Sequence, residues 1–140
     1  MSESSLGRQP QESAGIRRLL LVDDDKKLLT AFEIYLKRGI EVDTAQSGEA
    51  ALELLDKTPY SVIVSDMFMP SMTGVDFIQK AKAKGTRAVC LLLTASRESK
   101  TAVDAYNDAD VFMVINKPCA LSDLKEFVEA AQAEFERSIS

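Results

Sequence analysis

The chain has 140 residues, 46% hydrophobic and 28% charged, with a net charge of −5, as expected of one globular domain with a substantial core. The acidic balance, without a basic cluster beyond Arg17 and Arg18, argues against direct nucleic-acid binding. Because the sequence contains no histidine, His-based triads and imidazole metal sites are excluded. No apolar run is long enough to span a membrane, and we expect a cytoplasmic protein.

The predicted elements begin after a polar amino-terminal stretch. Residues 1–15 are rich in Ser, Gln and Glu, which predicts a disordered tail before a single domain over residues 16–140. The apolar run Arg18–Val22 predicts the first strand. The first helix should end at Gly39 and bury residues at helical spacing, namely Leu28, Phe32, Tyr35 and Leu36. Residues 40–45 alternate like a half-exposed edge strand.

The rest of the chain continues the alternation of helices and strands. Ser47 is a suitable N-cap for a helix with an apolar face at Ala51, Leu54 and Leu55. Further elements are predicted as strand, helix, strand, helix and strand over residues 60–65, 75–84, 88–93, 99–107 and 111–115. Gly85 should end the helix that precedes it. The fifth helix should begin near Ser122 and bury Leu124, Phe127, Val128, Ala131 and Phe135.

This order of elements predicts the fold class. Five strand–helix pairs without an internal repeat indicate an α/β fold, a (βα)5 doubly wound open parallel sheet of the flavodoxin-like type. An edge-type second strand and right-handed crossovers favour the strand order 2-1-3-4-5. Five units are too few for an eight-stranded barrel.

Residues with useful chemistry follow four of the predicted strands at the point where each apolar run ends. They are Asp23, Asp24 and Asp25 after the first strand, Asp66 after the third, Thr94 after the fourth and Lys117 after the fifth. Because the carboxyl ends of parallel strands share one edge of the sheet, these side chains should meet in one crevice.

The expected crevice has a definite chemistry. Asp25 is assigned to a helix N-cap or a solvated turn, whereas Asp23, Asp24 and Asp66 would crowd like charges and call for a cation. Mg2+ suits a site of few carboxylates, and Lys117 would add a further positive charge. A carboxylate in such a place can attack a phosphoryl group and form an acyl phosphate, to which Thr94 can donate a hydrogen bond.

Four segments carry a family resemblance. Residues 20–25, 64–74, 93–95 and 116–118 resemble the motifs of the receiver domain of two-component response regulators, and the similarity covers roughly residues 17–137. The resemblance implies that Asp66 is the phospho-acceptor, with Thr94 as the switch hydroxyl and Lys117 as the phosphate-contacting lysine. It also implies an Mg2+ site made of Asp23, Asp24, Asp66 and the backbone carbonyl of Phe68. A cis peptide bond is implied between Lys117 and Pro118.

Two positions depart from the family pattern. Val114 stands three positions before the lysine, where the family usually has an aromatic residue that rotates when the switch hydroxyl moves. Phe112 should face the same side of the sheet, one register step away. Phe68 occupies a position that is often polar in the family, and we expect its ring to shield the acyl phosphate and to lengthen its life.

The resemblance also implies partners and a signalling role. The phosphoryl donor would be a histidine kinase or a histidine phosphotransfer protein. A downstream protein or output domain would bind the surface of the fourth helix, fifth strand and fifth helix, where a homodimer could also form. The module would not be a turnover enzyme beyond self-phosphorylation and self-dephosphorylation.

Two alternatives stay open at this level. The spacing of Asp23 and Asp25 after an apolar strand resembles the first motif of haloacid dehalogenase-like phosphatases, in which Asp23 would be the essential carboxylate. The Lys26–Lys27 pair and the absence of a cap domain disfavour this reading. A receiver fold used only as a binding platform is the other alternative, suggested by Val114 and Phe68.

Overall fold

The computed structural model describes residues 15–95, 104 and 109–139, and the architecture below refers to these residues. Five strands alternate with four helices over this part of the chain. The strands are β1 (Arg18–Val22), β2 (Glu41–Ala45), β3 (Val62–Asp66), β4 (Val89–Thr94) and β5 (Met113–Asn116). The helices are α1 (Lys26–Leu36), α2 (Gly48–Lys57), α3 (Gly74–Ala83) and α4 (Leu121–Ile139), of which α4 is the predicted fifth helix.

All strand pairs are parallel, and the sheet order is β2-β1-β3-β4-β5. The predicted doubly wound, flavodoxin-like fold is therefore confirmed. The order reverses between β1 and β3, which places a crevice beyond the carboxyl ends of these two strands. The predicted tail falls almost wholly on residues 1–14, and nearly all of the predicted helix 99–107 also lies outside the described residues.

Within the described residues, two helices cover each face of the sheet, and alternate strand residues point to each face. Leu20, Ile63 and Leu92 point into one core cluster, which also contains residues of α2 and α3. The other cluster joins strand residues to α1 and α4. Because both faces of the sheet are buried, the central strands consist of consecutive apolar residues in the sequence. The sheet is thereby a rigid frame for the residues at its carboxyl edge.

The helix ends show which local signals are decisive. Ser47 caps α2, since its Oγ accepts a hydrogen bond from the Ala50 amide at 3.1 Å. Gly85 has φ of +101° just after α3, which is the left-handed conformation that glycine adopts at helix ends. The expectation for Gly39 is wrong, because α1 already ends at Leu36 and Lys37 is its C-cap.

The last helix is tied to the amino ends of β1 and β3 by buried and partly buried polar contacts. The Ser61 hydroxyl donates to Gln132 Oε1 at 2.6 Å, and Gln132 Nε2 donates to the Ile16 carbonyl at 3.0 Å. Arg17 donates two hydrogen bonds to the Glu129 carboxylate, at 2.6 and 2.8 Å. These contacts lie at the opposite end of the strands from the crevice. In the described part of the chain, no helix combines the length and apolar character that crossing a bilayer requires.

Candidate functional site

Two carboxylates follow β1 and differ in their surroundings. Asp23 is 3% exposed, and its Oδ1 accepts a hydrogen bond from the Asp25 amide at 2.9 Å. Asp24 is exposed at the rim of the crevice. Asp25 turns away to cap α1, accepting hydrogen bonds from the amides of Lys27 and Leu28 at 3.0 and 3.3 Å. Of the two roles predicted for Asp25, a helix cap or a solvated turn, the structure shows the cap.

The third carboxylate, Asp66, is the last residue of β3 and is 7% exposed. Asp23, Asp24 and Asp66 each offer one carboxylate oxygen, and these oxygens all lie within 4.8 Å of one another. They meet because β1 and β3 are adjacent parallel strands that end side by side, with Val22 paired to Ser65. The convergence predicted from the sequence is present.

Lys117 reaches the same crevice from the end of β5. Its Nζ lies 3.1 Å from Asp23 Oδ2 and 3.3 Å from Asp66 Oδ1, so one ammonium bridges two carboxylates. The Lys117 amide donates to the Thr94 carbonyl at 2.8 Å, and the following bond to Pro118 is cis, as the resemblance implies. The lysine is thus held in place by β4 as well as by its charge.

The electrostatics of the cluster are those of crowded carboxylates. Burial raises the pKa of Asp66 above its usual 3.8, and the charge of Asp23 raises it further, against the opposing effect of Lys117 and a backbone hydrogen bond at Phe68. Burial disfavours the charged form of Lys117, but contacts with Asp23 and Asp66 outweigh it and raise its pKa overall. With all three carboxylates charged, the cluster carries three negative charges and the single positive charge of Lys117. A divalent cation would balance the remaining two negative charges.

Thr94 and Phe68 border the cluster in different ways. Thr94 ends β4 next to β3 and is 2% exposed. Phe68 follows Asp66 by two residues, and its side chain is 56% exposed. The roles of Thr94 as the switch hydroxyl and of the Phe68 carbonyl as a metal ligand stay predictions.

Val114 occupies the position where the family resemblance implies an aromatic residue. Val114 is half-buried in β5 and packs against the cluster that includes Leu92. Phe112 precedes β5 and is 37% exposed, with its amide bonded to the Cys90 carbonyl at 2.8 Å. Because it stands four residues before Asn116, Phe112 lies about 13 Å from the carboxyl end of the strand, two residues farther from that end than Val114.

Two residues beside Asp66 were not singled out from the sequence. Ser65 Oγ donates to the Asp66 carbonyl at 2.9 Å, and Gly74 packs directly on that same carbonyl group. A glycine at the first position of a helix after a loop is the sequence signal that could have revealed this close approach.

Comparison with protein families gives a match over most of the chain. The model described as "Response regulator receiver domain" matches residues 19–129. Among curated proteins, the chain is 33% identical over 120 residues to the regulatory protein AtoC of Escherichia coli, which covers 83% of this chain and 25% of AtoC. It is 31% identical over 114 residues to the transcriptional regulatory protein KdpE of Mycobacterium tuberculosis, covering 81% of this chain and 50% of KdpE.

Solved structures agree with this match. A crystal structure described as adenylate cyclase from Rhodopirellula baltica superposes with a TM-score of 0.83 at 40% identity, covering 88% of this chain and 92% of that chain. A CheY-like receiver domain protein from Methanospirillum hungatei superposes with a TM-score of 0.81 at 24% identity, covering 89% and 99%. The second similarity is a similarity of fold. This chain spans only a quarter to a half of the lengths of AtoC and KdpE.

Proposed function

This chain belongs to the response regulator receiver family, and from that premise we propose that it accepts a phosphoryl group on Asp66 in an Mg2+-dependent reaction. The observation that carries the proposal is the position of Asp66. It is a buried carboxylate at a strand end, clustered with Asp23 and Asp24 and 3.3 Å from the Lys117 ammonium. We assign the receiver domain to residues 16–140, preceded by a tail over residues 1–15.

The cluster fits a hard divalent cation. Three carboxylates within 4.8 Å supply oxygen ligands, and the exposed Asp24 leaves one side open to water and phosphate. Asp23, Asp24, Asp66 and the Phe68 carbonyl would hold Mg2+. When bound, the ion would neutralise the carboxylates and the charge that develops on the transferring group.

The residues of the chain have separate tasks in the phosphoryl transfer. An Asp66 carboxylate oxygen attacks phosphorus, the bond from phosphorus to the donor breaks, and the donor leaves with the electron pair. Lys117 would donate to a phosphoryl oxygen, a role supported by the 3.3 Å distance between its ammonium and Asp66 Oδ1. Thr94 would donate its hydroxyl to a second phosphoryl oxygen.

The signalling consequence follows from the added charge. A phosphoryl group brings negative charge and acceptor oxygens next to Thr94, which would bias β4, β5 and the surface formed with α4 and the predicted fourth helix. With Val114 in β5, this switch would operate without a rotating ring. We assign the donor to a histidine kinase or histidine phosphotransfer protein, and the switched surface to a downstream protein, an output domain or a second copy of the chain.

The direct test of this function is metal-dependent phosphorylation. Incubated with acetyl phosphate and Mg2+, the protein should gain one covalent phosphate by intact-mass spectrometry, and with EDTA it should gain none. Asp24→Asn should lose most of this gain, because a carboxylate ligand is replaced by a weaker neutral one.

Asp25→Asn is the matched control for that variant. Asp25 is the next residue and is also an aspartate, but its carboxylate caps α1, and asparagine caps helices about as well as aspartate. It should be phosphorylated like the wild type. Phosphorylation that persists in EDTA, or an equal loss in both variants, would contradict the metal site, whereas no phosphorylation at all would favour the binding-platform alternative.

The lifetime of the phosphorylated state gives a separate prediction for Phe68. Phe68 follows Asp66 by two residues, and we expect its ring to hinder water from reaching the acyl phosphate, so the wild-type phosphoprotein should be long-lived. Phe68→Ala should hydrolyse several-fold faster, measured as loss of phosphate after removal of the donor. Ile34→Ala is the control, because Ile34 is as exposed (58%) but lies on α1. Loss of phosphate within seconds in the wild type would refute the shielding.

A further inference from the structure

Gly74 makes an unusually close approach to the backbone of Asp66. A Cβ atom built on Gly74 would lie 2.3 Å from the Asp66 carbonyl oxygen, 3.1 Å from its carbonyl carbon and 2.7 Å from Leu92 Cδ2. Contacts below 3.0 Å are essentially never made by real Cβ atoms. Gly74 does not have a positive φ, so space alone requires glycine here.

The same carbonyl is held from another direction. Ser65 Oγ donates to it at 2.9 Å, and Ser65 is completely buried. The next residue, Met67, donates its amide to the Leu93 carbonyl at 2.8 Å and accepts the Gly74 amide at 2.8 Å. The loop between β3 and α3 is therefore closed at its base, and Phe68 lies within the closed segment.

The start of α3 is fixed as firmly as the strand it touches. Thr73 Oγ1 accepts a hydrogen bond from the Asp76 amide at 3.1 Å, and Asp76 Oδ2 accepts one from the Thr73 amide at 3.4 Å. This capping box leaves the first turn of α3 little freedom to move away from Asp66. Added volume at Gly74 must consequently displace the Asp66 backbone, the helix start or both.

We propose that Gly74 and Ser65 are positioning residues for phosphoryl transfer, which together hold the Asp66 main chain so that its carboxylate faces Asp23, Asp24 and Lys117. This role rests on the proposed function of Asp66. Neither residue touches the reacting atoms. Both act on the carbonyl group of the nucleophilic residue, and through the closed loop they also fix the backbone of Phe68.

A small displacement of the Asp66 backbone is expected to lower the phosphorylation rate strongly. Misplacement of a reacting group by about 1 Å can cost about 100-fold in rate. A methyl group at Gly74 requires a shift of several tenths of an ångström, because its 2.3 Å contact is with backbone that cannot rotate away. Gly74→Ala should therefore lower both the phosphorylation rate and the affinity for Mg2+.

Gly48 provides a closely matched control. Like Gly74, it is a buried first residue of a helix without a positive φ, and its added Cβ would lie 2.5 Å from Met72 Sδ. This neighbour is the far end of a flexible side chain, which can adopt another rotamer. Gly48→Ala should thus introduce the same methyl group without moving Asp66.

The experiment measures wild type, Gly74→Ala, Gly48→Ala and Ser65→Ala at equal concentrations of folded protein. The readouts are the Mg2+ dissociation constant and the phosphorylation rate with acetyl phosphate at saturating Mg2+. We expect Gly74→Ala to bind Mg2+ more weakly and to react at least about tenfold more slowly. Ser65→Ala should show a smaller loss in the same direction, and Gly48→Ala should match the wild type.

Ser65→Ala keeps the proposal testable if Gly74→Ala does not fold, because it adds no volume. Wild-type values in Ser65→Ala would overturn the proposal, as would wild-type values in a folded Gly74→Ala or an equal loss in Gly48→Ala. In each of these outcomes the wild type still takes up phosphate. Failure of the proposed function itself would instead appear as no phosphorylation in the wild type.

Discussion

Replacement of Asp66 by asparagine is expected to abolish covalent phosphorylation and to stabilise the Mg2+-free protein. The amide oxygen that replaces the carboxylate is not a nucleophile toward phosphorus at neutral pH, and no other residue of the cluster needs to move. The reaction should stop completely in the presence of acetyl phosphate and Mg2+. Intact-mass spectrometry over time is the measurement, with Asp56→Asn as a control, since Asp56 is exposed and pairs with Lys84.

The stability part of this prediction follows from the pKa of Asp66. Burial and the charge of Asp23 raise the pKa of this carboxyl in the folded protein above its usual 3.8. Ionisation therefore favours the unfolded chain, and the wild type loses stability as pH rises from below the unfolded pKa through the folded pKa. The advantage of Asp66→Asn should be present at neutral pH and vanish below the usual aspartate range, as measured by urea unfolding in EDTA.

The loss of phosphorylation and the gain in stability expected for Asp66→Asn can each be contradicted separately. Phosphate that still appears on Asp66→Asn would mean that another carboxylate accepts the group. A variant that is less stable than the wild type at neutral pH would mean that the pair of Asp66 with Lys117 outweighs the crowding with Asp23.

Replacement of Lys117 by alanine is expected to slow phosphorylation by about 100-fold, the usual effect of removing one donor that stabilises a developing oxyanion. The Lys117 ammonium lies 3.1 Å from Asp23 Oδ2 and 3.3 Å from Asp66 Oδ1, so among the described residues it is the cation that pairs with the Asp66 carboxylate. Without it, the transferring group would lose a fixed positive charge. The rate should be measured with acetyl phosphate at saturating Mg2+.

Mg2+ affinity should move in the opposite direction in this variant. Without the ammonium, the negative charges of Asp23 and Asp66 are no longer compensated by Lys117. Mg2+ should therefore bind more tightly while phosphorylation slows. A general loss of structure would weaken both. Lys84→Ala is the control, because Lys84 also forms an ion pair, with Asp56 at 2.8 Å, but lies just after α3. A Lys117→Ala protein that reacts like the wild type would remove the lysine from the mechanism.

The features that sequence could predict are those set by pattern and topology. Apolar runs buried on both faces identify β1, β3 and β4, and the parallel order then brings Asp23, Asp24, Asp66 and Lys117 together. Ser47 and Gly85 mark helix ends because the capping hydrogen bond and the positive φ are local requirements.

The features that escaped prediction depend on contacts between distant segments. Gly39 resembles a helix stop, yet α1 ends earlier, at Leu36. Leu29 is buried, although the predicted apolar face of the first helix runs through the neighbouring Leu28. The packing of Gly74 on Asp66 is set by how α3 meets β3, and no periodicity within either element encodes it.

Peptide mapping of the phosphorylated protein tests the central claim most directly. After reaction with acetyl phosphate and Mg2+, fragmentation of the peptides should place the phosphate on Asp66 alone. Modification of Asp23 or Asp24 instead would contradict the assignment of nucleophile and metal ligands, and phosphate on Asp23 would revive the phosphatase-like reading of the first motif.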